Sequence, residues 1–262
     1  MTNITRRKSI VANWKMHGTS AEATQLATGV AEGMAHEGGV EVILCPPFPY
    51  LALVGKIIKG SSISLGGQNI YPEKEGAFTG EVSPTMLLDV GCKFVLLGHS
   101  ERRHTLGETD TFINQKVRLA LDCGLDVILC VGETMAERTA HQTESVIDRQ
   151  LSLGLANVSK DALTRVSIAY EPVWAIGNAA HHATPQQAED AHAVLRTHFG
   201  QIFGSKAAAT VVIQYGGSVV PDNAAAFLSR PGVDGALIGG ASLKADEFLA
   251  IVRAAAAQQV HQ

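Results

Sequence analysis

Eight short apolar runs with a strand-like composition recur along this chain, at intervals of about 20 to 45 residues. They are residues 9–14, 40–45, 61–66, 93–97, 126–131, 165–170, 210–214 and 235–238. Helix-like segments lie between them, including residues 20–36, 109–122 and 185–199, the last of which has Thr184 as a cap and Pro185 in its first turn. Strands that alternate with helices predict a parallel sheet with helical crossovers.

Eight such repeats favour an α/β architecture with a single (β/α)8 barrel over a doubly wound fold of two domains. The length of 262 residues matches one barrel, and no Pro/Ser-rich linker or break in composition divides the chain. We therefore expect residues 1–262 to form one domain. Barrel enzymes carry their chemistry at the carboxyl ends of the strands, so the residues that follow each run are candidates for a site.

Composition and charge argue against several other classes of protein. A content of 46% hydrophobic and 18% charged residues indicates a soluble globular protein. We expect a cytoplasmic location without membrane insertion, because the apolar runs are short and no signal-peptide region follows the basic N-terminus. The four cysteines have no Cys-x-x-Cys spacing, which favours reduced thiols. A net charge of -4 argues against nucleic-acid binding.

The sixth run ends in a carboxylate that precedes a stiff, aromatic segment. Glu171 is followed by Pro172-Val173-Trp174-Ala175-Ile176-Gly177. Because proline disfavours a helical backbone at the residue before it, Glu171 is expected at the carboxyl end of a strand. A base beneath a lid is one interpretation. A surface carboxylate beside a partly buried tryptophan is the other.

The first run ends in an amide and a cation that are two residues apart, Asn13 and Lys15. On an extended backbone these side chains point to the same side and can face one ligand. Lys15 could therefore bind a phosphate or stabilise an oxyanion. Its alternative role is that of a solvated surface lysine.

The fourth run ends in a histidine, His99, before Ser100 and Glu101. We expect Ser100 to cap a helix whose first turn holds Glu101. The positive end of that helix disfavours an imidazolium, so His99 is expected to be neutral and able to donate a hydrogen bond. A structural histidine bonded to the backbone is the alternative.

The seventh and eighth runs both end in glycine-rich loops, Tyr215-Gly216-Gly217-Ser218 and Gly239-Gly240-Ala241-Ser242. Without side chains, backbone amides can approach an anion, and a following helix adds a favourable field. Two such loops at neighbouring strands predict a phosphate site, to which Gly177 could add an amide.

Taken in chain order, the motifs that follow the first, fourth, sixth and seventh runs resemble those of the triosephosphate isomerase family. The similarity runs nearly end to end and implies the fold called the TIM barrel. It also includes Gly66-Gly67-Gln68-Asn69, Gly76-Ala77-Phe78-Thr79-Gly80-Glu81 and Cys130-Val131-Gly132-Glu133.

The resemblance implies interconversion of dihydroxyacetone phosphate and D-glyceraldehyde 3-phosphate, a step of glycolysis and gluconeogenesis, without a metal or organic cofactor. The family's known roles are a carboxylate base, a neutral histidine and a closing loop, and they would fall to Glu171, His99 and the segment after Pro172. Lys15 would stabilise the oxyanion of the enediolate. Asn13 would position Lys15 and a substrate oxygen. The phosphate would bind to the amides of Gly177, Ser218, Gly239 and Gly240. Glu101 and Tyr215 would support the site without binding the substrate.

The loop that begins at Gln68 and ends at Glu81 resembles the family's long interdigitating loop. The resemblance implies a homodimer in which Thr79 reaches toward the neighbouring subunit's active site. Because the loop has full length, a shortened monomeric variant is not expected. The alternative is an ordinary long surface loop, in which Phe78 would be an exposed aromatic side chain with no binding partner.

The chain departs from the family pattern after Gly177, where it reads Asn178-Ala179-Ala180-His181-His182-Ala183, with one residue inserted relative to that pattern. Adjacent histidines point in different directions, so we expect no metal site there. The change could be neutral in a working enzyme or impair the lid. It could also mark a paralogous aldose-ketose isomerase for a tetrulose phosphate. A catalytically dead phosphosugar-binding scaffold should instead lack the base, the histidine or the lysine, and all three are present.

Overall fold

The computed structural model describes residues 6–35, 38–176 and 182–258. Within these residues, eight parallel strands are hydrogen-bonded in chain order, and the last strand pairs with the first. This closed barrel confirms the predicted (β/α)8 fold. The strands are β1 Ser9–Asn13, β2 Glu41–Cys45, β3 Ile63–Gly67, β4 Cys92–Leu97, β5 Asp126–Val131, β6 Val166–Tyr170, β7 Ile213–Tyr215 and β8 Gly235–Ile238.

Helices follow the strands and cover the outside of the barrel. In the described residues they are α1 Ser20–Met34, α2 Leu51–Ile57, α3 Pro84–Asp89, α4 Ser100–His104, α5 Asp110–Cys123, α6 Met135–Thr139, α7 Thr143–Gly154, α8 Pro185–Phe203, α9 Ser205–Thr210, α10 Pro221–Leu228 and α11 Ala245–Ala257. None of them is both long and apolar enough to cross a bilayer. Helix α8 starts as predicted, because the side chains of Thr184 and Gln187 each accept the other's backbone N–H.

The seventh strand begins later than the sequence predicts. Residues 210–214 were expected in the strand, but Thr210 ends α9 and β7 starts at Ile213. The run of three alanines before Thr210 favours the helix that ends there, and Val211 and Val212 connect this helix to β7. The other predicted runs agree with the observed strands to within one or two residues.

The inside of the barrel is filled by side chains and is not a channel. Because successive strand residues point to opposite faces, every second residue faces the axis. One buried cluster of such residues contains Val11, Ile43, Cys45, Phe94, Leu96, Ile128, Cys130, Ala169 and Leu237. Burial raises the pKa of the Cys45 and Cys130 thiols well above its ordinary value, so both stay protonated. A ligand must therefore bind at the end of the barrel.

Candidate active site

One cleft of about 260 Å³ lies where the carboxyl ends of several strands meet. Five of the polar residues that the sequence singled out line it, and the glycine-rich loops after β7 and β8 form part of its wall. The lining residues are Asn13, Lys15, His99, Glu171, Ile176, Gly216, Gly217, Ser218, Val219, Val220, Leu237, Gly239, Gly240 and Ala241.

Glu171 follows β6 directly and is only 2% exposed. Its backbone N–H donates to the Val131 carbonyl at 2.8 Å, which extends the pairing of β5 and β6 by one residue. Its carboxylate accepts two hydrogen bonds of 2.9 Å from Ser100, one from the backbone N–H and one from the hydroxyl. These donors satisfy both carboxylate oxygens and hold the side chain beside Ser100.

The cap of helix α4 differs from the sequence-based prediction. The N-cap is His99 and not Ser100, because the Ser100 hydroxyl is bonded to Glu171. The His99 Nδ1 accepts the Glu101 backbone N–H at 3.3 Å, whereas the Glu101 carboxylate is 3.6 Å away, too far for a hydrogen bond. We therefore assign the proton to Nε2. That nitrogen lies 3.1 Å from Glu171 Oε1 and faces the cleft as a donor.

Lys15 is held in a left-handed turn with a φ of 53°, and not on the extended backbone that the sequence suggested. Its backbone N–H donates to the Asn13 side chain at 3.0 Å, and its carbonyl accepts from Gln68 at 2.8 Å. Its Nζ lies 2.6 Å from Glu101 Oε1. Partial burial disfavours the charge of Glu101, but the hydrogen bond from Lys15 and the Lys15 charge outweigh it and lower the pKa of Glu101.

The glycine-rich loops are shaped by close contacts. A Cβ on Gly217 would lie 2.1 Å from the Tyr215 hydroxyl oxygen, so only glycine fits there. A 3-10 helix, Gly240–Leu243, follows β8, and the Ser242 hydroxyl donates to the Gly239 carbonyl at 2.6 Å. A Cβ on Gly239 would come within 3.4 Å of the Lys15 side chain, which places the cation beside this loop.

Three predicted site residues are not in the cleft lining. Tyr215 is 1% exposed and stacks on Phe227 with ring centroids 4.5 Å apart, so it supports the loop from behind. Thr79 is exposed in the loop after β3. Glu101 is bonded to Lys15 behind the cleft. Gly177 lies outside the described residues, as does the altered segment from Asn178 to His181.

The prediction missed a buried carboxylate that holds the first half of the lid segment. Glu133 has no exposed surface and accepts from the Tyr170 hydroxyl at 3.0 Å, the Trp174 indole N–H at 3.0 Å and the Arg138 guanidinium at 3.0 Å. The Arg138 guanidinium also lies 4.2 Å from the centre of the Trp174 ring. Glu133 follows β5 by two residues, so the rule that strand ends carry chemistry could have found it.

The described residues contain no cluster of three or more His, Cys, Asp or Glu side chains that could hold a metal ion. The groups around the cleft include a carboxylate, an imidazole N–H and an ammonium. This set can move a proton on carbon beside a carbonyl and stabilise the oxyanion that results.

Comparison with known proteins agrees with this geometry. A sequence model of the family described as "Triosephosphate isomerase" matches residues 8–255. Proteins with that name from Chloroflexus aurantiacus and Treponema denticola are 49% and 51% identical to this chain over 243 and 242 residues. These alignments cover 93% and 92% of this chain and 97% and 96% of the two relatives. A match that runs from the first strand into the last helix shows that this chain belongs to the triosephosphate isomerase family.

Proposed function

We propose that this protein interconverts dihydroxyacetone phosphate and D-glyceraldehyde 3-phosphate by moving a proton between two carbons through an enediolate. The observation that carries the proposal is the convergence of Glu171, the His99 Nε2–H and Lys15 on one cleft beside two glycine-rich loops. Family membership supports the same reaction. The tetrulose phosphate alternative is not favoured, because the relatives at 49% and 51% identity carry the name triosephosphate isomerase.

In this mechanism Glu171 is the base that removes the proton from carbon. A carboxylate is a weak base, so it can act only if the neighbouring carbonyl is polarised. His99 would donate its Nε2–H to the carbonyl oxygen, and the Lys15 ammonium would stabilise the negative charge that develops there. The carboxylate accepts two hydrogen bonds from Ser100 in this structure, and contact with the substrate's proton would take the place of at least one of them.

The phosphate would bind to the backbone amides of Ser218, Gly239 and Gly240, together with that of Gly177 beyond the described residues. Both loops line the cleft that Glu171 also lines, so one bound molecule can place its carbonyl end near the carboxylate and its phosphate end at the loops. Lys15 beside Gly239 adds a positive charge at that end.

The segment after Glu171 would close over the bound substrate and exclude water. In this structure Glu133 holds the segment through Trp174 and through its own carbonyl, which accepts the Val173 N–H at 3.1 Å. Closure protects the enediolate from loss of phosphate. The altered residues between Asn178 and Ala183 would affect the far end of this lid and leave the base in place.

The assembly that we propose is a homodimer in the cytoplasm, formed through the loop from Gln68 to Glu81. Several apolar side chains near this loop are exposed, with Met16 at 93%, Met86 at 55% and Phe78 at 38%. Such a patch is unfavourable in water and favours association. Thr79 would then reach the partner's cleft, and residues 1–262 would form one domain of each subunit.

The test is a coupled assay of kcat/KM on D-glyceraldehyde 3-phosphate and on a four-carbon phosphosugar. We expect a preference for the three-carbon substrate. Glu171→Asp withdraws the carboxylate by one methylene and should lower kcat by about 10²-fold or more. The surface variant Glu247→Asp is the matched control and should be unchanged. A preference for the four-carbon substrate, or an unaffected Glu171→Asp variant, contradicts the proposal.

A further inference from the structure

A buried glutamine connects helix α7 to the end of strand β5. Gln150 is 2% exposed, and its side-chain amide makes two hydrogen bonds to one residue. Its Oε1 accepts the Gly132 N–H at 2.7 Å, and its Nε2 donates to the Gly132 carbonyl at 3.2 Å. Both polar groups of the Gly132 backbone are therefore bound by a side chain and are not available to a neighbouring strand.

Gly132 lies directly against the backbone of the base. A Cβ at this position would be 1.8 Å from the Glu171 carbonyl oxygen, so the two backbones are in close contact. The residues on either side of Gly132 bind the same segment. The Val131 carbonyl accepts the Glu171 N–H at 2.8 Å, and the Glu133 carbonyl accepts the Val173 N–H at 3.1 Å.

We infer that Gln150 is a positioning residue for Glu171 and acts through Gly132. The inference rests on the proposed function. The backbone of residues 131–133 holds the backbone of Glu171 and Val173 through these contacts, and the position of that backbone determines where the Glu171 carboxylate lies in the cleft. Gln150 holds the middle residue of this backbone segment, Gly132, from the outer layer of the barrel, and it does not line the cleft.

A purely structural role for Gln150 would be the attachment of α7 to the barrel. The chain offers a matched control for this role, because Asn114 on α5 is also a buried amide, with 9% exposure and two bonds to backbone carbonyls. It donates to Gly154 at 3.0 Å and to Ala156 at 2.9 Å, at the C-terminal end of α7. It attaches the same helix without contacting residues 131–133.

The experiment compares the similarly sized variants Gln150→Met and Asn114→Leu in the full-length protein. Both should lower Tm, because each leaves buried backbone groups without partners. Only Gln150→Met should lower kcat, by about tenfold or more, since a small displacement of a base is enough for that. Its KM should stay within about twofold, because the phosphate-binding loops follow other strands. Equal kcat values for the two variants, or a loss confined to KM, overturn the inference.

Gln150→Glu provides a second test if Gln150→Met does not fold. Its carboxyl group keeps the acceptor for the Gly132 N–H, and it keeps a donor to the carbonyl only while it is protonated. The ratio of its kcat to that of the wild type should fall as pH rises. A ratio that is independent of pH, with kcat at the wild-type level, contradicts the inference.

Hydrogen exchange separates this inference from the proposed function. The Glu171 and Val173 amides should exchange about tenfold faster in the Gln150 variants than in Asn114→Leu, as expected for the loss of one buried hydrogen bond. An inactive wild-type protein refutes the isomerase, and this measurement still decides the role of Gln150. Unchanged exchange refutes the positioning role.

Discussion

Acidification should destabilise this protein through one buried histidine, His192. The residue lies on α8 with no exposed surface, and its ring is 5.9 Å from that of Tyr170 and 6.3 Å from that of Tyr215. Its Nδ1 lies 3.0 Å from the Gly232 carbonyl, and its Nε2 has no hydrogen-bond partner among the described residues. Burial lowers the pKa of His192 from its ordinary 6.5 to about 4, although the bond to Gly232 and the charge of Asp234 oppose the change.

The sign of the effect follows from proton binding. Below pH 6.5 the unfolded chain takes up a proton at His192, and the folded protein does not until about pH 4. Stability is therefore complete above pH 6.5 and is lost progressively as pH falls toward 4. The difference of about 2.5 between the pKa values, at about 1.4 kcal/mol for each pH unit, corresponds to about 3 kcal/mol. By pH 5 the loss should already be about 2 kcal/mol.

The assay is urea unfolding at pH 7 and pH 5, at one protein concentration, for the wild type and for His192→Asn. The asparagine amide can take the place of Nδ1 as a donor to Gly232 but does not titrate. We expect this variant to be less stable at pH 7, because it leaves a cavity, and to lose about 2 kcal/mol less than the wild type on acidification. His198→Asn, on the same helix but partly exposed, is the control. Parallel losses in wild type and His192→Asn would refute a buried neutral His192.

Three further predictions concern the cleft. Gly132→Ala places a Cβ 1.8 Å from the Glu171 carbonyl oxygen, so it should lower both kcat and Tm, and a fully active variant would contradict the close contact. Gly217→Ala places a Cβ 2.1 Å from the Tyr215 hydroxyl oxygen, so it should raise KM and the Kd of a phosphate-bearing inhibitor more than it lowers kcat, and the reverse order would contradict the assignment of this loop. Glu101→Gln removes the charge partner of Lys15, whose Nζ lies 2.6 Å away. Because Glu101 is half exposed, the change should alter the free energy of unfolding by less than about 1 kcal/mol. It should nevertheless lower kcat/KM about tenfold, because Lys15 loses the carboxylate that positions it. An unchanged kcat/KM would show that Lys15 needs no support from Glu101.

The barrel and its functional end could be predicted from the sequence because both depend on local patterns. Apolar strand runs and amphipathic helices repeat at short range, and the parallel barrel that they imply gathers the residues after each strand at one end. Asn13, Lys15, His99 and Glu171 were found in this way, and all four line the cleft. The exception is β7, where three alanines extend a helix into the predicted strand.

Contacts between residues far apart in the chain could not be predicted in the same way. Ser100 looked like a helix cap, but its hydroxyl binds Glu171, which is 71 residues away. His99 became the cap in its place, and this determines which of its nitrogens faces the cleft. Glu133 lies in a recognisable motif after β5, but its partners Tyr170 and Trp174 are 37 and 41 residues away, so the sequence did not show its role. Gln150 lies in no such motif.

The sequence alone therefore determined the fold, the end of the barrel that carries the site and the residue types at that end. The tertiary structure decided the partner of each polar group. It thereby decided the proton position on His99, the position of the Glu171 carboxylate and the backbone contacts that Glu171 makes with residues 131–133. The physical reason is that backbone periodicity is set by neighbouring residues, whereas a buried polar group takes whichever donor or acceptor the folded chain brings within about 3 Å.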